Sequence, residues 1–280
     1  MKDLGARPVL ITGCSSGIGE CIAHGLSQRG YRVFAAARKD TDVARLIDGG
    51  LESVPLDLAS SDSIQRACTE ILERTGGRLY GLVNNGAYGQ PGAVEDLSRS
   101  VLMRQFDTNL FGTHELTVRL IPVFRAAGGG RIVQMSSILG LVSLAYRGAY
   151  NASKYALESL SDTMRLELAG TGIHVSLIEP GPIETRFRAN AMAEYELNID
   201  RDRSAHRNHY RSIEQRLNAK DNIRFTLPPD AVLAKVIDAL ESAKPKPRYL
   251  VTFPAHLLAR LKRVLPDRWL DRFLLRFAGK

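Results

Sequence analysis

As far as Pro180, short apolar and β-branched runs alternate with segments of helix length, and this alternation constrains the fold more than any other feature. The runs are PVLIT (8–12), YRVFAAA (31–37), SVPLDL (53–58), RLYGLVNN (78–85), RIVQMSS (131–137) and GIHVSLIEP (172–180). None keeps the strict apolar–polar alternation of a strand with one wet face, so each is expected to be buried on both sides. Helical patterns fill 18–28, the region from about 41, 60–74 and the long segment 97–127. Such a chain folds as an α/β domain with a parallel sheet covered on both faces, and right-handed crossovers make the sheet doubly wound. The ligand crevice of such a sheet lies beyond the carboxyl ends of its strands. Gly13, Arg38, Asp57, Asn85, Ser137 and Pro180 should therefore meet in space.

The rhythm breaks at 186–227, a polar stretch rich in Arg, Asn and His that reads as one or two inserted helices walling a substrate pocket. A Pro-Pro-Asp start at 228–230 opens a helix to about Glu241, and RYLVTF (248–253) reads as a last strand. Two apolar stripes follow, Leu257 to Leu265 and, after Pro266, Trp269 to Phe277. The expected organisation is one domain over 1–254, containing the 186–227 segment, followed by a basic amphipathic helical tail at 255–280.

Charge belongs to that tail. From Ala243 to Lys280 ten Lys/Arg face two Asp, which equals the +8 of the whole 280-residue chain and leaves the rest balanced. No nucleic-acid reading element accompanies the basicity, so no nucleic-acid partner is expected. A basic amphipathic tail fits peripheral contact with an anionic membrane surface. The preferred alternative is a helix pair that covers the pocket or the sheet edge. Cys14, Cys21 and Cys68 form an odd set without metal-ligand spacing, so neither a disulfide framework nor a metal site is expected. The N-terminal apolar run is too short for a signal peptide and no run spans a bilayer, which makes a soluble cytoplasmic protein the expectation.

The first strand runs into Thr12-Gly13-Cys14-Ser15-Ser16-Gly17-Ile18-Gly19. Glycines at a strand-to-helix turn let the backbone approach a pyrophosphate, and the helix N-terminus supplies amide donors. The spacing is G-x-x-x-G-x-G and differs from the general G-x-G-x-x-G fingerprint. The second strand ends in Ala37-Arg38-Lys39, with no carboxylate to accept from a ribose hydroxyl. A guanidinium at that tip suits a 2′-phosphate, which points to NADP(H). Tyr150 and Lys154 stand one helical turn apart, where a cation lowers a phenol pKa toward working pH. Ser136-Ser137 ends the fifth strand nearby.

Together these motifs resemble the short-chain dehydrogenase/reductase family. TGCSSGIG (12–19), Asp57-Leu58, VNNGA (83–87), Asn109 in TNLFG, MSS (135–137), YNASK (150–154) and PGPIET (180–185) occur in the family's order over about residues 8–190. VNNGA departs from the usual Asn-Asn-Ala-Gly but keeps small residues at Gly86 and Ala87. The resemblance implies a Rossmann fold, with Tyr150 as general acid/base and Lys154 lowering its pKa and holding the nicotinamide ribose. It implies that Ser137 bonds the substrate oxygen and that Asn109 interrupts helix bonding to support a water-mediated proton relay. It places Gly13, Ser15, Ser16, Gly17, Ile18 and Gly19 around the pyrophosphate and adenosine ribose. Asp57, Leu58 and Asn85 flank the adenosine, and Ile183 and Thr185 the nicotinamide. Residues 148–159 and the VLPDR ending (264–268) are similar to the 17β-hydroxysteroid and retinol dehydrogenase branch. Apolar residues after Ser137, such as Ile138, Leu139 and Leu144, favour a small hydrophobic carbonyl or alcohol as the substrate. By the same resemblance a homo-oligomer is expected. An NADP-binding regulatory module without turnover is the alternative reading, against which the intact Tyr150, Lys154, Ser137 and Asn109 set speaks.

Overall fold

The structure, a computed structural model, describes residues 7–218 and 224–277. Its sheet contains β1 (Pro8–Ile11), β2 (Arg32–Ala37), β3 (Glu52–Pro55), β4 (Gly81–Asn84), β5 (Gly130–Met135), β6 (Ile173–Pro180) and β7 (Arg248–Val251). The strand order is β3-β2-β1-β4-β5-β6-β7, and every neighbouring pair is parallel. The chain steps outward from β1 to β3 and then returns to place β4 on the other side of β1. Loops leaving β1 and β4 therefore diverge, which opens a crevice at their carboxyl ends.

Among the described residues eleven α-helices accompany the strands. They are α1 (Gly17–Gln28), α2 (Asp40–Asp48), α3 (Ser61–Thr75), α4 (Arg99–Phe106), α5 (Thr113–Ala126) and α6 (Gly148–Glu167). Then come α7 (Phe187–Asn198), α8 (Arg207–Asn218), α9 (Asp230–Glu241), α10 (Phe253–Val264) and α11 (Asp267–Phe277). Val9, Ile11, Val33 and Ala35 pack with α1 and α9, whereas Leu10, Phe34 and Ala36 pack with α3 and α5. Adjacent residues of one strand thus enter opposite cores, which is why the strands carry apolar residues continuously. Each fully buried Val, Leu or Ile contributes about 1.5–3 kcal/mol, so this three-layer arrangement is the main source of stability.

The expected elements are present, with informative differences at their ends. The 53–58 run leaves the sheet after Pro55, because the Asp57 carboxylate turns the chain by accepting from Ala59 N at 2.9 Å. The 97–127 segment is two helices joined by a π-helical stretch, Asp107–Gly112. The last strand stops at Val251, and Phe253 already starts α10. Thr252 takes φ 87°, and Pro254 suits a first helical turn, where its missing N–H costs nothing.

Arg248 fastens β7 to its neighbours. Its guanidinium pairs with Glu179 of β6 at 3.0 Å, Glu158 of α6 at 3.0 Å and Asp162 of α6 at 2.6 Å. The inner faces of α10 and α11, through Ala255, Leu258, Leu270 and Leu274, form a separate core with Ile138 and Val142 of the loop after β5. The tail is therefore a helix pair laid over that loop. Residues 219–223 of the expected 186–227 segment and 278–280 of the tail lie outside the described residues.

Candidate active site

The turn after β1 is held from three sides. Gly13 and Gly17 adopt φ 71° and 61°, a region open to glycine at no steric cost. A Cβ on Gly13 would lie 2.6 Å from the Gly86 Cα, and one on Gly19 only 2.3 Å from the Gly13 carbonyl oxygen. Asn85 donates through Nδ2 to Thr12 O (2.9 Å) and Gly13 O (3.2 Å). Thr12 Oγ1 in return accepts from Asn85 N (3.0 Å) and Gly86 N (2.9 Å). The loop after β4 is thereby stitched to the glycine turn, and Asn85 spends its amide on that stitch. Cys14 N reaches Ala36 O at 2.9 Å, and burial pushes the Cys14 thiol far above its ordinary range, so it acts as packing. Thr185 lies over Gly17, where an added Cβ would come within 3.0 Å of the threonine methyl.

Tyr150 and Lys154 are buried on the inward face of α6. Lys154 donates from Nζ to Met135 O at 2.7 Å and lies 5.7 Å from the Tyr150 ring centroid. Burial lowers the Lys154 pKa to about 8, opposed by the Glu158 carboxylate one turn along. Burial raises the Tyr150 pKa to about 12, while a hydrogen bond with Ser137 and the charge of Arg147 pull it down. Lys154 thus remains an ammonium at neutral pH and sheds its proton before Tyr150 does as the pH rises through about 8. Ser137 is oriented by its own loop, its Oγ accepting from Leu139 N at 3.1 Å.

Asn109 sits in the π-helical stretch, where helix bonding departs from the regular pattern. Its side chain accepts from Tyr88 N (3.1 Å) and donates to Tyr88 O (2.9 Å) and Ser153 Oγ (3.2 Å). It therefore clamps the loop after β4 to the helical turn of Tyr150, whose carbonyl accepts from Ser153 Oγ at 2.8 Å.

A cavity of about 980 Å³ connects these parts. Gly13, Ser15, Ser16, Gly17, Ile18 and Asn85 line one end, and Ser137, Tyr150, Lys154, Ile183 and Thr185 line the other. Gly19 lies behind the turn, as its contact with Gly13 requires. Arg38, Asp57 and Leu58 do not line the cavity. Arg38 follows the end of β2 in solvent, and among the described residues no ion pair holds it. Leu58 is buried, with its methyl 3.0 Å from where a Gly86 Cβ would lie and its carbonyl 1.7 Å from a Cβ on Gly112. Glycine at 112 is thus what lets the π-helical stretch meet the β3 loop. Sequence reasoning passed over Gly112, Gly89 and Phe187. The Phe187 ring stands edge-on to Tyr150, with centroids 5.3 Å apart, and a Cβ on Gly89 would lie 2.7 Å from it. For Gly112 the signal was its place in TNLFG; Phe187 carried none.

A glycine cradle at the switch point of a parallel sheet, joined by one cavity to a buried phenol and lysine, defines a dinucleotide-dependent oxidoreductase on a Rossmann fold. The cradle fits a dinucleotide because side chains are excluded where its phosphates approach. The chain belongs to the short-chain dehydrogenase family, whose model, described as "short chain dehydrogenase", matches residues 7–196. It is 45% identical over 268 residues to the "Uncharacterized oxidoreductase YbbO" of Escherichia coli K12, covering 96% of this chain and 94% of that one. It is 34% identical over 287 residues to mouse "Retinol dehydrogenase 16", covering 98% and 88%. A short-chain dehydrogenase from Burkholderia phymatum, solved in complex with NAD, superposes with a TM-score of 0.80 at 25% identity, covering 97% of each chain.

Proposed function

We propose that this enzyme interconverts a hydrophobic ketone or aldehyde and its alcohol with NADP(H), using Tyr150 as the general acid/base. The observation that carries the reading is the buried Tyr150 phenol, bonded by Ser137 and flanked by Lys154, in the same cavity as the glycine turn. The bound dinucleotide would supply or accept the hydride. Gly13, Ser15, Ser16, Gly17 and Ile18 would hold its pyrophosphate end, and Ile183 and Thr185 its nicotinamide end. Arg38, exposed and without a carboxylate partner among the described residues, would pair with a 2′-phosphate. Asp57, Leu58 and Asn85 would border the adenosine, the last two chiefly by shaping the floor.

In reduction, Ser137 holds the carbonyl oxygen and Tyr150 gives it a proton; in oxidation, Tyr150 takes the proton back. Lys154 would hold the nicotinamide ribose, and a nearby phosphate would favour the charged form that burial disfavours. Asn109 positions the Tyr150 turn and the path by which solvent reprotonates it. Apolar walls from Ile138, Leu139, Leu144 and Leu258 favour a hydrophobic substrate. The enzyme is proposed to be a cytoplasmic homo-oligomer. Phe111, Val118 and Leu160 expose apolar surface around α5 and α6 where a second copy would pack.

Initial rates with NADPH or NADH against a medium-chain aldehyde, retinal, a steroid ketone and a small ketone test the reading. Turnover is expected with NADPH on the apolar carbonyls and is expected to vanish in Tyr150→Phe. Arg38→Asp should move the preference toward NADH. A Tyr150→Phe enzyme as active as its parent would overturn the proposed chemistry, and an unchanged preference in Arg38→Asp would overturn the cofactor assignment.

A further inference from the structure

The tail helices have two faces, and only one is used by the fold. Inward, α10 and α11 bury Ala255, Leu258, Leu270 and Leu274. Outward they carry Arg260, Lys262, Arg263, Arg268, Arg272 and Arg276 against Asp267 and Asp271. Among the described residues no ion pair holds any of these six cations, although the Arg272 guanidinium lies 5.6 Å from the Trp269 ring centroid. Large apolar side chains stand among them. Val264 is 77% exposed, Trp269 62% and Leu275 46%. Trp269, Arg272 and Arg276 recur at helical spacing, so the indole and two guanidiniums share one stripe of α11.

Exposed aromatic and aliphatic side chains on a purely water-facing helix lower its solubility without aiding the fold. Unpaired guanidiniums around a tryptophan are what an anionic bilayer surface binds: the cations meet phosphate headgroups, and the indole sits at the boundary with the acyl chains. We infer that the outer face of α10 and α11 is a docking surface for anionic lipid membranes. The corner at Val264–Trp269 enters the headgroup layer, and the flanking arginines lie along it.

The cavity rim supports the same assignment. Pro254 and Leu258 of α10 line the cavity from within, along with Phe225. Outside, the Phe225 and Phe253 rings pack with centroids 5.1 Å apart and remain 44% and 57% exposed. One helix therefore carries both the basic apolar face and part of the pocket wall. If the substrate is apolar, as proposed above, it passes from lipid to pocket over this rim; docking itself does not depend on that reading.

Trp269 is the only tryptophan in the chain and reports on its own surroundings. The full enzyme is titrated with vesicles of phosphatidylglycerol and phosphatidylcholine, following tryptophan emission and co-sedimentation. The expected result is a blue shift and pelleting with the anionic vesicles, weakened by salt because exposed charges are screened. Pure phosphatidylcholine should give neither. An Arg268→Gln, Arg272→Gln, Arg276→Gln variant should bind anionic vesicles about tenfold to a hundredfold more weakly while keeping wild-type turnover of a water-soluble carbonyl. No shift with anionic vesicles overturns the inference. So does a shift that appears without lipid as protein concentration rises, which assigns the face to a second copy, or one that equimolar duplex DNA reproduces. Because binding is read without turnover, failure here is separable from failure of the proposed chemistry.

Discussion

Lys154 Nζ donates to the Met135 carbonyl at 2.7 Å, which ties the middle of α6 to the end of β5, next to Ser136 and Ser137. The bond explains how a lysine can be buried beside a phenol, and burial brings its pKa down from 10.5 to about 8. Below about pH 8 the folded protein holds a desolvated ammonium. Between about 8 and 10.5 the unfolded chain binds the proton and the folded one does not, so stability rises with pH through that window. Lys154→Met should abolish this rise, as read by urea denaturation of wild type and variant at pH 7 and pH 9.5. Turnover should fall by roughly 10²–10⁴-fold, the usual worth of a positioned proton-transfer group. A variant whose stability tracks the wild type across that window would show that Lys154 is not the titrating group.

Asn85 has a duty within the fold besides its place in the cavity lining. Its amide closes two hydrogen bonds on the glycine turn. At about 1 kcal/mol each, their loss should weaken cofactor binding roughly tenfold to thirtyfold, because the phosphate cradle is no longer held open. Asn85→Ala should therefore raise the NADPH dissociation constant, measured by nucleotide fluorescence, and leave kcat at saturating cofactor within about threefold. A fall in kcat without a change in affinity would place Asn85 in the chemistry instead.

The sheet was legible in the sequence because strands buried on two faces cannot alternate, and the turns between them carry glycine and proline at fixed places. Gly13, Ser137, Tyr150 and Lys154 were readable for the same reason: each stands at a strand end or on a helix face whose position the sheet determines. Arg248 was not. Its partners Glu158, Asp162 and Glu179 come from α6 and β6, and nothing in a linear pattern says that three carboxylates and one arginine will meet at a half-buried edge. Phe187 was equally hidden, since a single aromatic residue in a polar stretch has no period. The tail's two stripes were visible as amphipathic helices, but which face would be covered depended on the loop after β5.

Arg248 offers a test of that cluster. Glu179 is fully buried, and its carboxyl pKa is raised from 4.5 to about 8 by burial and by the Glu158 charge, with Arg248 opposing. The folded state thus keeps a proton that the unfolded chain releases, so stability falls as pH rises from 4.5 toward 8. Arg248→Met leaves the carboxylates without their cation. It should cost about 1–3 kcal/mol at neutral pH, because Arg248 and Asp162 are partly exposed and Glu179 keeps its proton, and it should steepen that decline. Adding Glu179→Gln should recover part of the loss and flatten the pH dependence, read by urea denaturation at pH 5 and pH 8. Equal losses at both pH values would mean that Arg248 acts by packing alone.

Phe187 should set how large a substrate reaches Tyr150. Its ring stands edge-on to the phenol, in contact range of Gly89, so it narrows the approach to the proton donor. Phe187→Ala removes the obstruction and also an apolar wall. A steroid ketone should then gain in kcat/KM relative to a medium-chain aldehyde by about tenfold, since pocket contacts of this size discriminate by about 1–3 kcal/mol. Gly89→Ala acts from the other side. Its new methyl would lie 2.7 Å from the Phe187 ring and 3.6 Å from Tyr150, and so would crowd the space beside both rings. That variant should shift the ratio the opposite way, against the bulky ketone, while NADPH affinity stays near wild type. Opposite shifts from two residues that touch one ring identify the ring as the gate; shifts of the same sign, or none, would remove Phe187 from substrate selection.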